Sequence, residues 1–537
     1  MTPLLAIEDL RVPLPRAAER SDAVSGLSLA LGRGEILCVV GESGSGKSMT
    51  ALAVMGLLPG NLPAPSGRVL FEGRDLLALA ERERRDLAGR RIAMIFQEPS
   101  AALNPIYRVG DQVAETFRLH TKLSAAEIRE RVLALFREVR LPDPEQLYHS
   151  YPHQLSGGQC QRVMIATALA LDPAILIADE PTTALDVTTQ AQILRLMLDL
   201  RQRHGTGILF ITHDFGVVAE IADRVAVMQN GRLVEEGPRD RVLRQPQAKY
   251  TRDLLAAVPK LEPRRARPGL GPVAVSAKGI AKTFRKSGLF GGGRSVKAVD
   301  GVDVEIRRGE TLGLVGESGS GKSTLAQCVI RLIEPERGDI TLPGESFSAL
   351  RGKTLRAARR RVQIVFQDPY SALDPRQSVG AAIAEGPVIH GVDRDGARNR
   401  ALKLLQAVGL DAEAAGRFPH EFSGGQRQRI CIARALAIEP DLLIADESVS
   451  ALDVSVQAQI LDLLAEMQQR LGFAMLFITH DLRVASRICD RIAVMRQGRI
   501  VEEGEPAALF GAPREAYTRE LLSAVPGRDW GRDGKHG

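Results

Sequence analysis

The stretch VGESGSGKS runs from Val40 to Ser48 and again, residue for residue, from Val315 to Ser323. Each copy follows a short apolar run, Glu35 to Val40 and Thr311 to Val315. An apolar run of that length ending in a glycine loop reads as a buried strand turning into a helix. The spacing G-x-x-x-x-G-K-S in that context is a phosphate-binding loop. Its glycines let successive backbone N–H groups turn inward around anionic oxygens, and the helix N-terminus adds favourable partial charge. Gly41, Ser43, Gly44 and Gly46 with their twins Gly316, Ser318, Gly319 and Gly321 are the expected cradle. Lys47 and Lys322 are expected to reach the β- and γ-phosphates, and Ser48 and Ser323 to ligate Mg²⁺. A lone match of this kind can be an accidental glycine turn, but two identical copies in the same context are not.

The repetition extends along the chain. IFQEPSAALNP from Ile95 pairs with VFQDPYSALDP from Val365, and LSGGQCQR from Leu155 with FSGGQRQR from Phe422. LIADEPTTALDV from Leu176 pairs with LIADESVSALDV from Leu443, and each half ends alike, in YTRDLLAAVP from Tyr250 and YTRELLSAVP from Tyr517. The offset between copies is 275 at the lysine (322 − 47), 270 at the glutamine (367 − 97) and 267 from the serine onward (423 − 156). All length changes therefore precede the SGGQ stretch, in segments able to absorb insertions. Two tandem domains are expected, over 1–259 and 273–526, with a Pro-, Gly- and Arg-rich seam at 260–272 and a tail at 527–537.

Composition agrees with that division. The chain has 537 residues, too many for one core, and 44% are hydrophobic but only 4% aromatic. An aliphatic core of this kind suits parallel sheets buried on both faces. The net charge of +6 is the small difference between 71 basic and 65 acidic residues. It reads as a mixed, solvated surface, and no nucleic-acid partner is expected. The five cysteines include no CxxC pair, which argues against zinc or iron–sulfur ligation and for a reducing compartment. The opening MTPLLAIEDL lacks the basic and apolar regions of a signal peptide. The most apolar window, Val163 to Ala178, is interrupted by Asp172 and Pro173 and is too short to span a membrane, so a soluble, intracellular chain is expected.

The remaining motifs complete a chemical set. Asp179-Glu180 and Asp446-Glu447 close apolar strands. An acidic pair at a strand end is ordinarily solvated, but the companion glycine loop reverses that reading. Asp179 and Asp446 are then expected to hold Mg²⁺ through water, and Glu180 and Glu447 to orient or deprotonate the attacking water. Gln97 and Gln367 follow apolar runs and are expected to sense the γ-phosphate or the metal-bound water. His213 and His480 end further strands and are expected to bond the γ-phosphate. The SGGQ stretches, with Ser156, Gly158 and Gln159 in one half and Ser423, Gly425 and Gln426 in the other, precede predicted helices. They form a second anion-binding N-terminus in each half; the plainer reading is a serine helix cap.

Taken together these motifs resemble, twice over and in order, the ATP-binding subunits of ABC transporters, across nearly all of the chain. More narrowly, VGESGSGKS, QEPSAALNP, ADEPTTALDV and the YTR-x-LL-x-AVP endings resemble the oligopeptide/dipeptide/nickel importer ATPases, and the fused arrangement is similar to that of glutathione and microcin C-type peptide importers. The resemblance implies an α/β fold of two tandem nucleotide-binding domains, each a RecA-like P-loop core with an antiparallel β subdomain and a helical subdomain. It implies an ATPase using ATP and Mg²⁺, with the halves paired head to tail. The Walker A loop of each half would then share its nucleotide with the SGGQ signature of the other. It further implies two integral-membrane permease subunits, a solute-binding protein and a peripheral place on the cytoplasmic face of the bacterial inner membrane. Small peptides are the implied cargo, with nickel or another small solute as the alternative. A soluble twin ATPase acting on ribosomes is the rival class; the short seam and the two histidines stand against it. Departures from the family pattern are also visible. No aromatic residue precedes Phe71, so Leu14 is the nearest candidate for the adenine-stacking place that Phe284 can fill in the second half. Cys160 stands where the second half has Arg427, and Ser448 where the first has Pro181.

Overall fold

The computed structural model describes residues 3–15, 20–182, 185–262, 269–285, 295–450, 452–528 and 530. Residues 529 and 531–537 of the expected tail, and 263–268 of the expected seam, lie outside the described residues. The chain divides into two compact units, one built mainly on residues 1–185 and 189–258, the other on 259–525.

Among the described residues the first unit contains ten strands: β1 (Leu5–Pro13), β2 (Asp22–Leu31), β3 (Ile36–Val40), β4 (Ser66–Phe71), β5 (Arg74–Asp75), β6 (Ile92–Ile95), β7 (Ile175–Asp179), β8 (Gly207–Ile211), β9 (Arg224–Gln229) and β10 (Arg232–Pro238). They form two sheets. The smaller is antiparallel with order β2-β1-β4-β5. The larger has order β10-β9-β3-β8-β7-β6, parallel except at β10. Every residue of β3, β7 and β8 is buried, which explains their unbroken aliphatic sequences: neither face meets water. The helix Lys47–Met55 lies within the core between the sheets, where its Ala51 and Val54 join Leu10 and Leu27 from one sheet and Val39 and Ile177 from the other. The helices Val109–His120 and Ala125–Glu138 form a separate helical part, packed on the helix Gly157–Leu169.

The second unit repeats the plan with β11 (Val273–Arg285), β12 (Ser295–Arg307), β13 (Thr311–Val315), β14 (Arg337–Leu342), β15 (Glu345–Ser346), β16 (Val362–Val365), β17 (Leu442–Asp446), β18 (Ala474–Thr479), β19 (Arg491–Arg496) and β20 (Arg499–Gly504). Its sheets run β12-β11-β14-β15 and β16-β17-β18-β13-β19-β20. One face of the larger sheet packs on the helix Lys322–Val329 and the antiparallel sheet. The other face, with Val315, Ala445 and Phe477, packs on helices through Ile430, Leu464 and Ile488. The α/β architecture expected from the sequence is therefore present twice.

The turn between β9 and β10 places both Asn230 (φ 51°) and Gly231 (φ 81°) in the left-handed region, and Gln497 (φ 48°) and Gly498 (φ 83°) do the same between β19 and β20. Two successive left-handed residues make a type I′ hairpin, whose twist matches that of the strands.

Candidate functional site

In each unit the central strand of the larger sheet delivers the glycine loop. Gly46 and Gly321 cap the following helix at φ 100° and 107°, a conformation that favours glycine. A side chain at Gly46 would lie 2.5 Å from the Ala23 carbonyl, so only hydrogen fits. The first-turn amides of a helix have no intrahelical acceptor and face outward for an anion. Lys47 is buried against the loop, where its Nζ donates to the carbonyls of Gly41 (2.7 Å) and Glu42 (2.8 Å). Lys322 does the same with Gly316 and Glu317, both at 2.8 Å. Burial lowers the pKa of Lys322 despite the neighbouring carboxylates of Glu447 and Asp446.

The acids arrive from β7 and β17, each one strand removed from the strand that carries the loop. Ser48 Oγ donates to Asp179 Oδ1 at 3.0 Å, and Ser323 Oγ to Asp446 Oδ1 at 3.0 Å. Burial pushes Asp179 up to about 6, against the pull of the Ser48 hydroxyl, and pushes Asp446 upward for the same reason. A hydroxyl and a carboxylate held this close form the oxygen-donor set a small, hard divalent cation takes. Among the described residues no three His, Cys, Asp or Glu side chains cluster to hold a metal, so such a cation needs phosphate and water oxygens as well. The residues fit Mg²⁺ on those terms.

Glu180 is the convergence point. Gln97 Nε2 donates to its Oε2 at 3.0 Å, and His213 Nδ1 lies 3.3 Å from its Oε1. In the second unit Gln367 Nε2 donates to Glu447 at 2.9 Å and His480 Nδ1 lies 3.7 Å from it. Burial disfavours the imidazolium of both histidines, but the facing glutamates and Asp214 or Asp481 outweigh it and raise both pKa values. Burial pushes Glu447 up, while His480 and Lys322 pull harder and leave it below the ordinary value. The structure thus brings Gln97 and Gln367 to the glutamates rather than to the Ser–Asp pairs. Glu180 and Glu447 both hold φ 46°, rare for a non-glycine residue and a form of strain that clusters at functional sites.

The SGGQ residues occupy a different helix terminus. Ser156 caps the helix Gly157–Leu169: its Oγ accepts from the Gln159 amide at 3.3 Å, while Gln159 Oε1 accepts from the Ser156 amide at 2.9 Å. Ser423 and Gln426 form the same reciprocal box at 3.4 and 3.0 Å. The helix begins at Gly157 and Gly424, so the glycines lie in its first turn rather than before it. Phe284 stands on β11 opposite Val296, 44% exposed. Leu14 donates its amide to the Ser21 carbonyl at 2.8 Å. Gly26 and Gly301, both left-handed, fix the register of the two halves and place Leu14 at the position of Phe284. Cys160 Sγ lies 3.5 Å from the Pro152 carbonyl, and Arg427 Nε donates to the matching Pro419 carbonyl at 2.8 Å.

Three supports of the loop escaped the sequence reading. Gly231 N–H donates to Ser45 O at 3.0 Å and Gly498 N–H to Ser320 O at 2.8 Å, so the hairpin turns brace the loops. Arg20 donates to Gly44 O at 2.8 Å. Tyr250 and Tyr517 touch Glu42 and Glu317; only their repeated YTR motif signalled them.

The family model for the ABC transporter matches residues 24–183 and 299–450. The chain belongs to the ABC transporter family. It is an ABC ATPase with two ATP-binding domains, and a second model, the oligopeptide/dipeptide transporter C-terminal region, matches residues 234–286 and 501–536. The ABC ATPase is 49% identical over 533 residues to the peptidoglycan transport ATP-binding protein YejF of Agrobacterium fabrum, covering 97% of this chain and 96% of that one. It is 47% identical over 560 residues to the glutathione import ATP-binding protein GsiA of Salmonella choleraesuis, covering 98% and 90%. Among solved structures, the ATP-binding cassette MJ0796 bound to ADP and Pi matches at 30% identity and a TM-score of 0.39, covering 43% of this chain and 98% of that one.

Proposed function

We propose that the chain is the ATP-hydrolysing subunit that energises an importer of small peptides, with catalytic machinery in both halves. The observation that carries this reading is the pair of Gln–Glu–His clusters. Each half keeps a carboxylate that can take a proton from water, an amide and an imidazole that hold it, and a phosphate loop beside it. A transporter ATPase with one degenerate half would lack one of these sets. The names of the relatives, both ATP-binding proteins of transport systems, and the match to the oligopeptide/dipeptide transporter region support peptide cargo such as glutathione, di- or oligopeptides.

In this reading the loop amides and Lys47 or Lys322 bind the β- and γ-phosphates. Ser48 and Asp179, or Ser323 and Asp446, hold Mg²⁺, with Gln97 or Gln367 reaching the same ion through water. The metal supplies charge neutralisation at the transferring phosphoryl group. Glu180 and Glu447 accept the proton of the attacking water, and His213 and His480 orient the glutamates and the γ-phosphate. The signature residues Ser156, Gly158 and Gln159 complete the site of the second half, and Ser423, Gly425 and Gln426 that of the first. Phe284 stacks on the adenine of the second site. Two permease subunits and a solute-binding protein are the partners. No helix among the described residues is long and apolar enough to cross a membrane, so attachment to the cytoplasmic face of the inner membrane comes through the permeases.

Reconstitution of the chain with the permeases and binding protein encoded beside it tests the reading. Proteoliposomes carrying MgATP on the chain's side should take up glutathione or short peptides, and Ser423→Arg should impair hydrolysis at the site holding Lys47. Hydrolysis that no peptide-loaded binding protein stimulates would refute the cargo, and full activity of the isolated first half as a monomer would refute the sharing of sites.

A further inference from the structure

The repeated endings YTRDLL and YTRELL have no part in the chemistry above, yet each places a tyrosine on a phosphate loop. Tyr250 is the second residue of the helix Lys249–Ala257. Its hydroxyl accepts the backbone N–H of Glu42 at 3.2 Å and donates to Glu42 Oε2 at 3.3 Å. Tyr517, on the helix Ala516–Ser523, accepts the backbone N–H of Glu317 at 3.1 Å. Glu42 and Glu317 are the second residues of the two GESGSGKS loops. Their carbonyls accept from the loop lysines, Lys47 and Lys322. The same residue is therefore gripped through its N–H by tyrosine and through its C=O by lysine, in both halves, although 208 and 200 residues separate the tyrosines from their loops.

The helices that carry the tyrosines are themselves anchored. Glu235 on β10 accepts the amides of Gln247 (2.8 Å) and Ala248 (3.0 Å), at the entrance to the first helix. Glu502 on β20 accepts those of Arg514 (2.8 Å) and Glu515 (3.1 Å) at the second. Tyr517 is 3% exposed, with the Arg496 guanidinium 4.6 Å from its ring centroid. Burial pushes its hydroxyl up to about 12, so it stays protonated at any physiological pH. Each contact thus links the hairpin strand, through a helix N-terminus, to the phosphate loop.

We propose that Tyr250 and Tyr517 are positioning residues of the two ATP sites, fixing the entry of each phosphate loop so that its amides and lysine are aimed at the phosphates before nucleotide arrives. The inference rests on the functional reading above and adds to it a role for the C-terminal region of each half. Loss of one neutral hydrogen bond corresponds to a change of about three- to tenfold in an equilibrium constant. The effect belongs to nucleotide binding rather than to the proton transfer at Glu180 and Glu447.

The test uses the full chain with Tyr250→Phe, Tyr517→Phe and the double variant, which keep the rings and their packing. The double variant should raise KM for MgATP about three- to tenfold, weaken MgADP binding in calorimetry by the same factor, and leave kcat within about twofold. Melting temperature, measured in EDTA, separates this from a structural role: the KM change should persist in assays well below the melting point. Unchanged KM and MgADP affinity, a fall confined to kcat, or a KM change that disappears at lower temperature would each overturn the proposal. A wild-type chain that neither binds nor hydrolyses MgATP would instead refute the functional reading, which keeps the two failures distinct.

Discussion

Gln97 Nε2 reaches Glu180 Oε2 at 3.0 Å, and Gln367 repeats the bond to Glu447 at 2.9 Å. The amide donates, so it bonds the ionised carboxylate and favours the form that can accept a proton. A glutamine in place of the glutamate keeps the size but removes the base. Glu180→Gln and Glu447→Gln together should cut turnover on the order of 10²-fold or more while sparing ATP binding. Steady-state hydrolysis and equilibrium binding of MgATP check this; near-normal turnover in the double variant would sink the role given to the glutamates.

Leu14 and Phe284 occupy the same register position, one aliphatic and one aromatic. An exposed ring at that place can stack on a base, and such a contact contributes about 0.5–1.5 kcal/mol beyond area burial. Phe284→Ala should weaken ATP at the second site by about two- to twelvefold. Leu14→Phe should strengthen it at the first by a similar factor. Site-resolved binding, with the other site disabled at Lys47 or Lys322, gives the comparison. Equal affinities in the wild type would refute the stacking role given to Phe284.

How much of this was legible in the sequence follows from distance along the chain. The loops, Asp179-Glu180 and the SGGQ caps are local: a few consecutive residues set both the backbone and the chemistry, so reading them in order was enough. The buried parallel strands were legible for the same reason, from their unbroken apolar runs, whereas the antiparallel sheet was implied only by the family resemblance. The left-handed conformation of Glu180 was not, because no local residue requires it; the surrounding sheet holds it there. Nor was the joining of Gln97 and His213 at one carboxylate, or the contact of Tyr250 with Glu42 across 208 residues. Those depend on how strand ends and a terminal helix meet in space, which repeats can flag but not locate.

Ser448 replaces Pro181 beside Glu447 in the second half, and among the described residues its buried hydroxyl has no hydrogen-bond partner. An unpaired buried polar group costs about 1–3 kcal/mol. Ser448→Ala should therefore stabilise the second unit, by about 1 kcal/mol, equivalent to about 2–4 °C in Tm for a domain of this size. Scanning calorimetry of the full chain would show the gain in one transition; a loss of stability would mean the hydroxyl has a partner after all.

Glu235 and Glu502 tie the C-terminal helices to the hairpin strands, and their titration gives the fold a defined acid sensitivity. Burial pushes both carboxyls up, but the Thr518 hydroxyl and two backbone amides beside Glu502, and two backbone amides and the Thr251 hydroxyl beside Glu235, outweigh it and leave both below the ordinary glutamate value of 4.5. A carboxylate whose folded pKa is depressed contributes stability that is fully present above its unfolded pKa. That contribution is lost as pH falls through the folded pKa, because the unfolded chain takes up the proton first. Glu235→Gln and Glu502→Gln should each cost about 1–3 kcal/mol at pH 7, where the wild type holds the amides with a charged acceptor. Below about pH 4.5 the gap between wild type and variants should narrow steadily, since the wild-type carboxyls then approach the neutral state of the glutamines. Denaturant unfolding of all three proteins at several pH values measures it directly. A gap that stays constant from pH 7 to the acid limit would show that the carboxylate charge plays no part in holding these helices.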